Sequence, residues 1–321
     1  MRKKIPVITN PTAVKEMVNK LSISADLDTL EALTQSQYSH NSLLAIYSDW
    51  RRYLEFCHLH HINVLPASIT AVRRFLERES QHRKFASLKR YTATLSQIHT
   101  ILGLPNPVNH RQIKFTLSQL RSLKGPDAKQ TNAFTLQHLQ ELNQHLSKDK
   151  GTKVIRDLAI YSLMFECALK RSELKYFGFD QFDIDEDGVA QVTLSDKTYR
   201  LSKEASEYLS KWLVFVPDRD GAVFRSIDRH GNISRTTMND SSIYRILRNA
   251  SSLLQLPENL KFSGQSLRVG AVKELSKQGM KVKDIQDYGR WLSPAMPAQY
   301  LGNRSSAELE KTKFRTIKAW D

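Results

Sequence analysis

The sequence predicts a mainly α fold of the α+β class: an all-helical, basic N-terminal domain, then a mostly helical domain with one small antiparallel sheet. Three observations lead there. Apolar residues recur at helical spacing over four segments between residues 41 and 124, the signature of helices with one buried face. The period changes to two between residues 182 and 201 and returns to helical spacing beyond. A chain of 321 residues, 40% apolar and 25% charged, is long and apolar enough for two ordinary cores.

Residues 1–40 read as an N-terminal extension with a helix over 11–21. In the helix over 41–60, Leu44, Tyr47, Tyr53, Leu54 and Phe56 share a face, and Arg51 and Arg52 lie on another. Pro66 precedes a helix over 68–81, with Ile69, Val72, Phe75 and Leu76 inward. The pattern repeats over 86–102 through Leu88, Tyr91, Leu95, Ile98 and Leu102, and over 109–124 through Ile113, Leu117 and Leu120. These helices make a domain over 41–124. Residues 125–133 contain turn formers without an apolar period and read as a linker. In the second domain, 134–321, Thr135 caps a helix through residue 146, and a long buried helix follows over 153–169. Phe182, Ile184, an Asp-Glu-Asp-Gly turn, Val189, Val192, Leu194, Tyr199 and Leu201 form the sheet. Helices then occupy 203–215, 239–254, 266–278 and 281–291.

Lys plus Arg number 48 against 33 Asp plus Glu, a net charge of +15 and a pI near 9.7. Residues 1–130 hold 19 basic and 9 acidic residues, and the remainder 29 and 24, so the excess is +10 and +5. Arg51, Arg52, Arg73, Arg74, Arg83, Lys84, Lys89, Arg90, Arg111, Lys114 and Arg121 stand on the polar faces of the first domain's helices. Recurring across four helices, they point to a phosphate-binding surface and to nucleic acid as partner. The longest nearly uncharged apolar stretch, residues 158–169, is too short for a bilayer, and the basic N-terminus lacks a signal peptide's apolar run. Cys57 and Cys167 make no CxxC pair, so a reducing cytoplasm is the expected location. His58, His60 and His61 lack carboxylate or thiol partners at ligand spacing and read as a solvated helix end. No metal or cofactor is expected.

The segment Gly264-Gln-Ser-Leu-Arg-Val-Gly-Ala-Val-Lys-Glu-Leu, followed by Gly289-Arg-Trp-Leu-Ser-Pro-Ala-Met-Pro-Ala-Gln-Tyr300, resembles the C-terminal half of the tyrosine recombinases, the phage integrase family, and most the Cre-like branch. Trp291 stands nine residues before Tyr300, and Arg268 stands 32 before it. Ala168-Leu-Lys-Arg-Ser-Glu-Leu174 is similar to the family's first box, Leu-Arg-x-x-Glu-Leu, and Lys197 in Leu194-Ser-Asp-Lys-Thr matches its sheet lysine. The resemblance implies that 41–124 is a core-binding DNA-binding domain and 134–321 a catalytic-type domain, the two forming a C-shaped clamp on duplex DNA. It further implies that Tyr300 is the nucleophile that makes a 3′-phosphotyrosine link. Arg268 and Trp291 would stabilise the charged phosphate, Lys197 would protonate the departing 5′-oxygen, and Glu173 would support the basic residues around it.

Two positions depart from the family pattern. Lys170 replaces the first phosphate-clamping arginine, and Gln265 replaces a histidine. Arg171, next along a helix, is expected to point about 100° away. Lysine keeps charge but loses the two-pronged fork; glutamine carries no proton near neutral pH. Two main readings follow, beside a third in which the chain binds DNA or another partner without site preference. One is a site-specific DNA-binding protein with impaired cleavage, used for target-site recognition, for example directing insertion by separate transposition proteins. The other is an active site-specific recombinase or integrase. The family usually binds inverted repeats as protomer pairs, and a strip of Leu309, Phe314, Ile317 and Trp320 suits self-association on DNA.

Overall fold

The computed structural model describes residues 5–124 and 131–303 together with residues 307 and 310. The chain divides into two units, residues 1–129 and 130–321.

The first unit is all-helical. Its helices are α1 (Pro11–Ile23), α2 (Leu27–Leu33), α3 (His40–Leu59), α4 (Ile69–Ser80), α5 (Phe85–Ile101) and α6 (Arg111–Lys124). Side-chain oxygens start three of them: Asn10 accepts from the Thr12 N–H at 2.9 Å, Asp26 from Thr29 at 2.6 Å and Ser68 from Ala71 at 3.1 Å. Aromatic packing fills the middle, with Tyr53 edge-on to Phe75 at 5.2 Å and Phe75 against Tyr91 at 5.5 Å. Residues 5–40, set apart above as an extension, supply Leu21, Leu30 and Leu33 to this core. The Trp50 indole also donates to the Leu21 carbonyl at 3.1 Å. Sequence spacing did not predict α2, seven residues being too short for a periodic stripe.

The inward face of α3 differs from the expected one. Leu43, Ile46, Trp50, Tyr53, Leu54 and Cys57 are buried and Leu44 is 38% exposed. The true stripe steps by three and four residues from Leu43, which leaves Leu44 a further 100° round. Ile69 and Leu117 are only partly buried.

The second unit is helical around two small sheets, in agreement with the predicted class. It contains α7 (Leu136–Leu146), α8 (Thr152–Glu166), α9 (Arg171–Lys175), α10 (Lys203–Phe215), α11 (Asp240–Leu253), α12 (Ser266–Lys277), α13 (Val282–Tyr288) and α14 (Ala295–Tyr300). Strands β1 (Phe182–Ile184), β2 (Ala190–Leu194) and β3 (Lys197–Arg200) form an antiparallel meander, with Val192 opposite both Phe182 and Tyr199. A second hairpin, β4 (Arg225–Ile227) and β5 (Ile233–Thr237), escaped the sequence reading because Ser234, Arg235, Thr236 and Thr237 carry no apolar alternation.

Helix α8 is buried along Leu158–Phe165 and packs against α7, α10 and α12. It ends at Glu166, short of the expected residue 169, because Ala168 adopts φ +45°. Likewise α13 stops at Tyr288 and not at Trp291, since Arg290 takes φ +56°. Helix α12 is fixed at its start. The Phe134 N–H donates to the Ser266 carbonyl at 2.9 Å, and a Cβ on Gly270 would lie 1.5 Å from the Phe134 oxygen. Only glycine allows that approach. Residues 125–130 of the linker expected over 125–133, and the apolar strip of Leu309, Phe314, Ile317 and Trp320, lie outside the described residues.

Candidate functional site

The end of α8 exposes carbonyls that no helical N–H can reach. Two arginines from the far side of the unit fill them. Arg268, on the first turn of α12, donates through Nη1 to the Ala168 carbonyl and through Nη2 to the Gly289 carbonyl at 2.9 Å. Arg290 donates through Nη1 to the Cys167 carbonyl at 3.2 Å and through Nη2 to Glu173 Oε2 at 2.8 Å. The Trp291 ring covers the Arg268 guanidinium at 4.0 Å, a cation–π distance. Tyr300, buried at the end of α14, lies edge-on to Trp291 at 6.1 Å, and its hydroxyl donates to Gln265 Oε1 at 3.5 Å. Arg268, Trp291, Tyr300 and Gln265 are therefore gathered at one place.

Lys170 is the N-cap of α9, with extended backbone at φ −78° and ψ 153°. Its own N–H donates to Glu173 Oε2 at 2.8 Å, and its ammonium donates to Oε1 at 2.9 Å. One carboxylate thus holds two cations. Because Lys170 is outside the helix, the 100° step expected to carry Arg171 away does not apply. The Arg171 stem lies across Gly264, where a Cβ would come 2.5 Å from its Cδ and 3.1 Å from its Cζ. Lys197 stands partly exposed at the start of β3, after a turn in which Ser195 takes φ +55°. Its strand is tied to the rest through Tyr199, whose hydroxyl donates to the Tyr288 carbonyl and accepts from Arg290.

Charge accumulates here. Burial would raise the Glu173 carboxyl, but hydrogen bonds from Arg290 and Lys170 outweigh it and hold the group down to about 2. Burial brings the Arg268 guanidinium down to about 10, and burial raises the Tyr300 hydroxyl against the opposing pull of Arg268. Lys170 and Arg290 bond Glu173, Arg268 bonds the Ala168 carbonyl and Arg171 lies on Gly264, so four cations and one carboxylate meet around the first-box segment. The arrangement suits an anion. Gln265, beside the Tyr300 hydroxyl, supplies hydrogen bonds but no proton carrier. The sequence reading missed Arg290 and Tyr199. The charged residue inside Gly289-Arg-Trp was the available signal, but its inward direction depends on a left-handed backbone that composition does not reveal.

In the first unit the candidate DNA-facing residues fall into two groups. Arg51 pairs with Glu55 at 3.3 Å, Arg73 with Glu77 at 3.8 Å, and Arg52 and Arg83 both reach Glu79, at 3.6 and 3.8 Å. Arg90 clamps buried Asp49 at 2.7 Å, and Thr94 completes that carboxylate's bonding at 3.0 Å. Arg74, Lys84, Lys89, Arg111, Lys114 and Arg121 are exposed and have no ion pair among the described residues. Among those residues no group of His, Cys, Asp and Glu is arranged to hold a metal ion, and no helix is long and apolar enough to cross a membrane.

The Phage integrase family model matches residues 132–306. The chain is 24% identical over 278 residues to an integrase/recombinase xerD homolog of Selenomonas ruminantium, covering 81% of each. It is 19% identical over 296 residues to the recombinase Cre of Escherichia phage P1, covering 84% of this chain and 85% of Cre. Its fold is similar to the Tn1549 transposon integrase in complex with circular intermediate DNA, at a TM-score of 0.61 and 13% identity, over 93% of this chain and 99% of that one.

Proposed function

The chain belongs to the phage integrase family of tyrosine recombinases, and from that premise we propose that it is a site-specific duplex-DNA-binding protein with an impaired strand-cleavage pocket. In this reading it serves target-site recognition on the bacterial chromosome, such as directing insertion by separate transposition proteins. The observation that carries it is the engagement of Lys170 by Glu173 at 2.9 Å, at the position where the family has a phosphate-clamping arginine. Gln265 beside Tyr300 compounds the effect. Binding a phosphate needs charge, which Arg268 and Lys197 supply; cleaving it also needs transition-state donors and a proton carrier. Each lost donor costs about 10²–10³ in rate.

The alternative, an active recombinase using Tyr300, is favoured by the gathering of Arg268, Trp291 and Tyr300 at one point. Selection from a random duplex library distinguishes site-specific from general binding, and a nicked version of the selected site tests cleavage. We expect an inverted-repeat site to be enriched and Tyr300→Phe to bind it as the parent does. The parent should form little covalent adduct, and Lys170→Arg with Gln265→His should raise it. Equal affinity for selected and random DNA would overturn site recognition. Efficient Tyr300-dependent strand exchange by the parent would instead restore the active recombinase.

A further inference from the structure

Besides Arg268, which bonds the Ala168 and Gly289 carbonyls, three basic side chains lie at the first-box segment, and two of them are already committed. Lys170 is held by Glu173 at 2.9 Å. Arg290 meets Glu173 at 2.8 Å and has acceptors at the Cys167 and Tyr288 carbonyls, both at 3.2 Å. The third is Arg171. It is partly buried, and among the described residues its guanidinium has neither carboxylate nor carbonyl partner. None of its nitrogens is both buried and unpartnered, so the guanidinium is open to solvent and keeps its donors available to an acceptor that arrives.

Its position is set by two backbone features. Lys170 is extended, so the chain turns between residues 170 and 171 before α9 begins. Gly264 then leaves a bare stretch of backbone on which the Arg171 stem rests, with Cδ, Nε and Cζ all within 3.1 Å of where a Cβ would stand. The next residue is Gln265, whose amide meets the Tyr300 hydroxyl. The fork's stem thus lies one residue along the backbone from the side chain that meets Tyr300, and the nearby carboxylate of Glu173 is already shared by two other cations.

We propose that Arg171, displaced by one residue from the family's arginine, is the guanidinium fork that grips a DNA phosphate in this pocket. This rests on the duplex-binding reading above. It separates grip from cleavage: Arg171 holds the phosphodiester, while Lys170 neutralises Glu173. An arginine fork binds phosphate through two parallel hydrogen bonds, which lysine cannot reproduce.

The test uses the full chain and the duplex recovered by selection, with each phosphate replaced in turn by a neutral methylphosphonate. The parent is expected to lose about tenfold in affinity at one phosphate of each half-site, the worth of a charged hydrogen bond. Arg171→Ala should bind the unmodified duplex about tenfold more weakly and show no further loss at that phosphate. Lys170→Ala should retain the loss, and Arg171→Lys should restore part of it. Gly264→Ala, which keeps the arginine but places a Cβ against its stem, should behave like Arg171→Ala. A full methylphosphonate loss surviving in folded Arg171→Ala would overturn the assignment. Failure to recover any preferred duplex would instead remove the DNA-binding reading beneath it, and the two failures are told apart at the selection step.

Discussion

Glu173 is the residue on which the pocket's geometry turns, since one carboxylate orients both Lys170 and Arg290. Its pKa of about 2, against 4.5 when unperturbed, marks a depressed carboxyl. Such a group stabilises the fold fully above its unfolded pKa, and that contribution disappears as pH falls toward the folded value. Screened by solvent at a partly exposed group, the difference corresponds to about 1–3 kcal/mol. Glu173→Gln is therefore expected to lower the unfolding free energy at neutral pH by about that amount. In urea titrations the gap between variant and parent should narrow from about pH 5 down to about pH 2. A gap independent of pH would show that Glu173 acts by packing. The chemical types in this pocket were legible in the sequence, down to Lys170, Gln265, Arg268, Trp291 and Tyr300. Their pairings were not. The inward course of Arg290 needs φ +56°, and the course of Arg171 needs a non-helical Lys170, neither of which side-chain identity dictates.

Among the elements, α12 carries Arg268, and its seat depends on Gly270. A Cβ there meets backbone oxygen at 1.5 Å, and the neighbouring Phe165 ring at 3.2 Å closes the other side. Neither neighbour can rotate out of the way. Gly270→Ala is expected to cost at least about 2 kcal/mol despite alanine's better helix propensity. A melting-temperature drop of about 4–8 °C would follow for a unit of this size. An unchanged melting temperature would mean that the 133–135 segment yields freely. The long helices were readable because burial of one face imposes a stripe of period 3.6. The short elements were not: α9, α14 and the strands β4 and β5 span three to six residues each, less than two helical turns or a clear alternation.

For the whole molecule, the +15 charge is not uniformly available to a partner. Among the described residues Arg74, Lys84, Lys89, Arg111, Lys114 and Arg121 have no carboxylate to release, whereas Arg90 is bound to Asp49, which is 2% exposed. Alanine at a free position that touches phosphate should reduce the slope of log affinity against log salt by about one. Arg90→Ala should instead destabilise the first unit by about 3–5 kcal/mol, because it strands a buried carboxylate. Salt titration of DNA binding together with urea denaturation separates the two groups, and a stable Arg90→Ala with a reduced slope would reverse its assignment. The tryptophans are divided in a comparable way. Trp50 and Trp212 are fully buried, their indoles bonded to the Leu21 and Val223 carbonyls. Trp291 is partly open to solvent and lies 4.0 Å from the Arg268 guanidinium. Indole emission responds to nearby charge and water, so the pocket contains its own lamp. With Trp320 replaced by Phe, the colour and brightness of unlabelled protein would report in real time when Arg268 meets an anion.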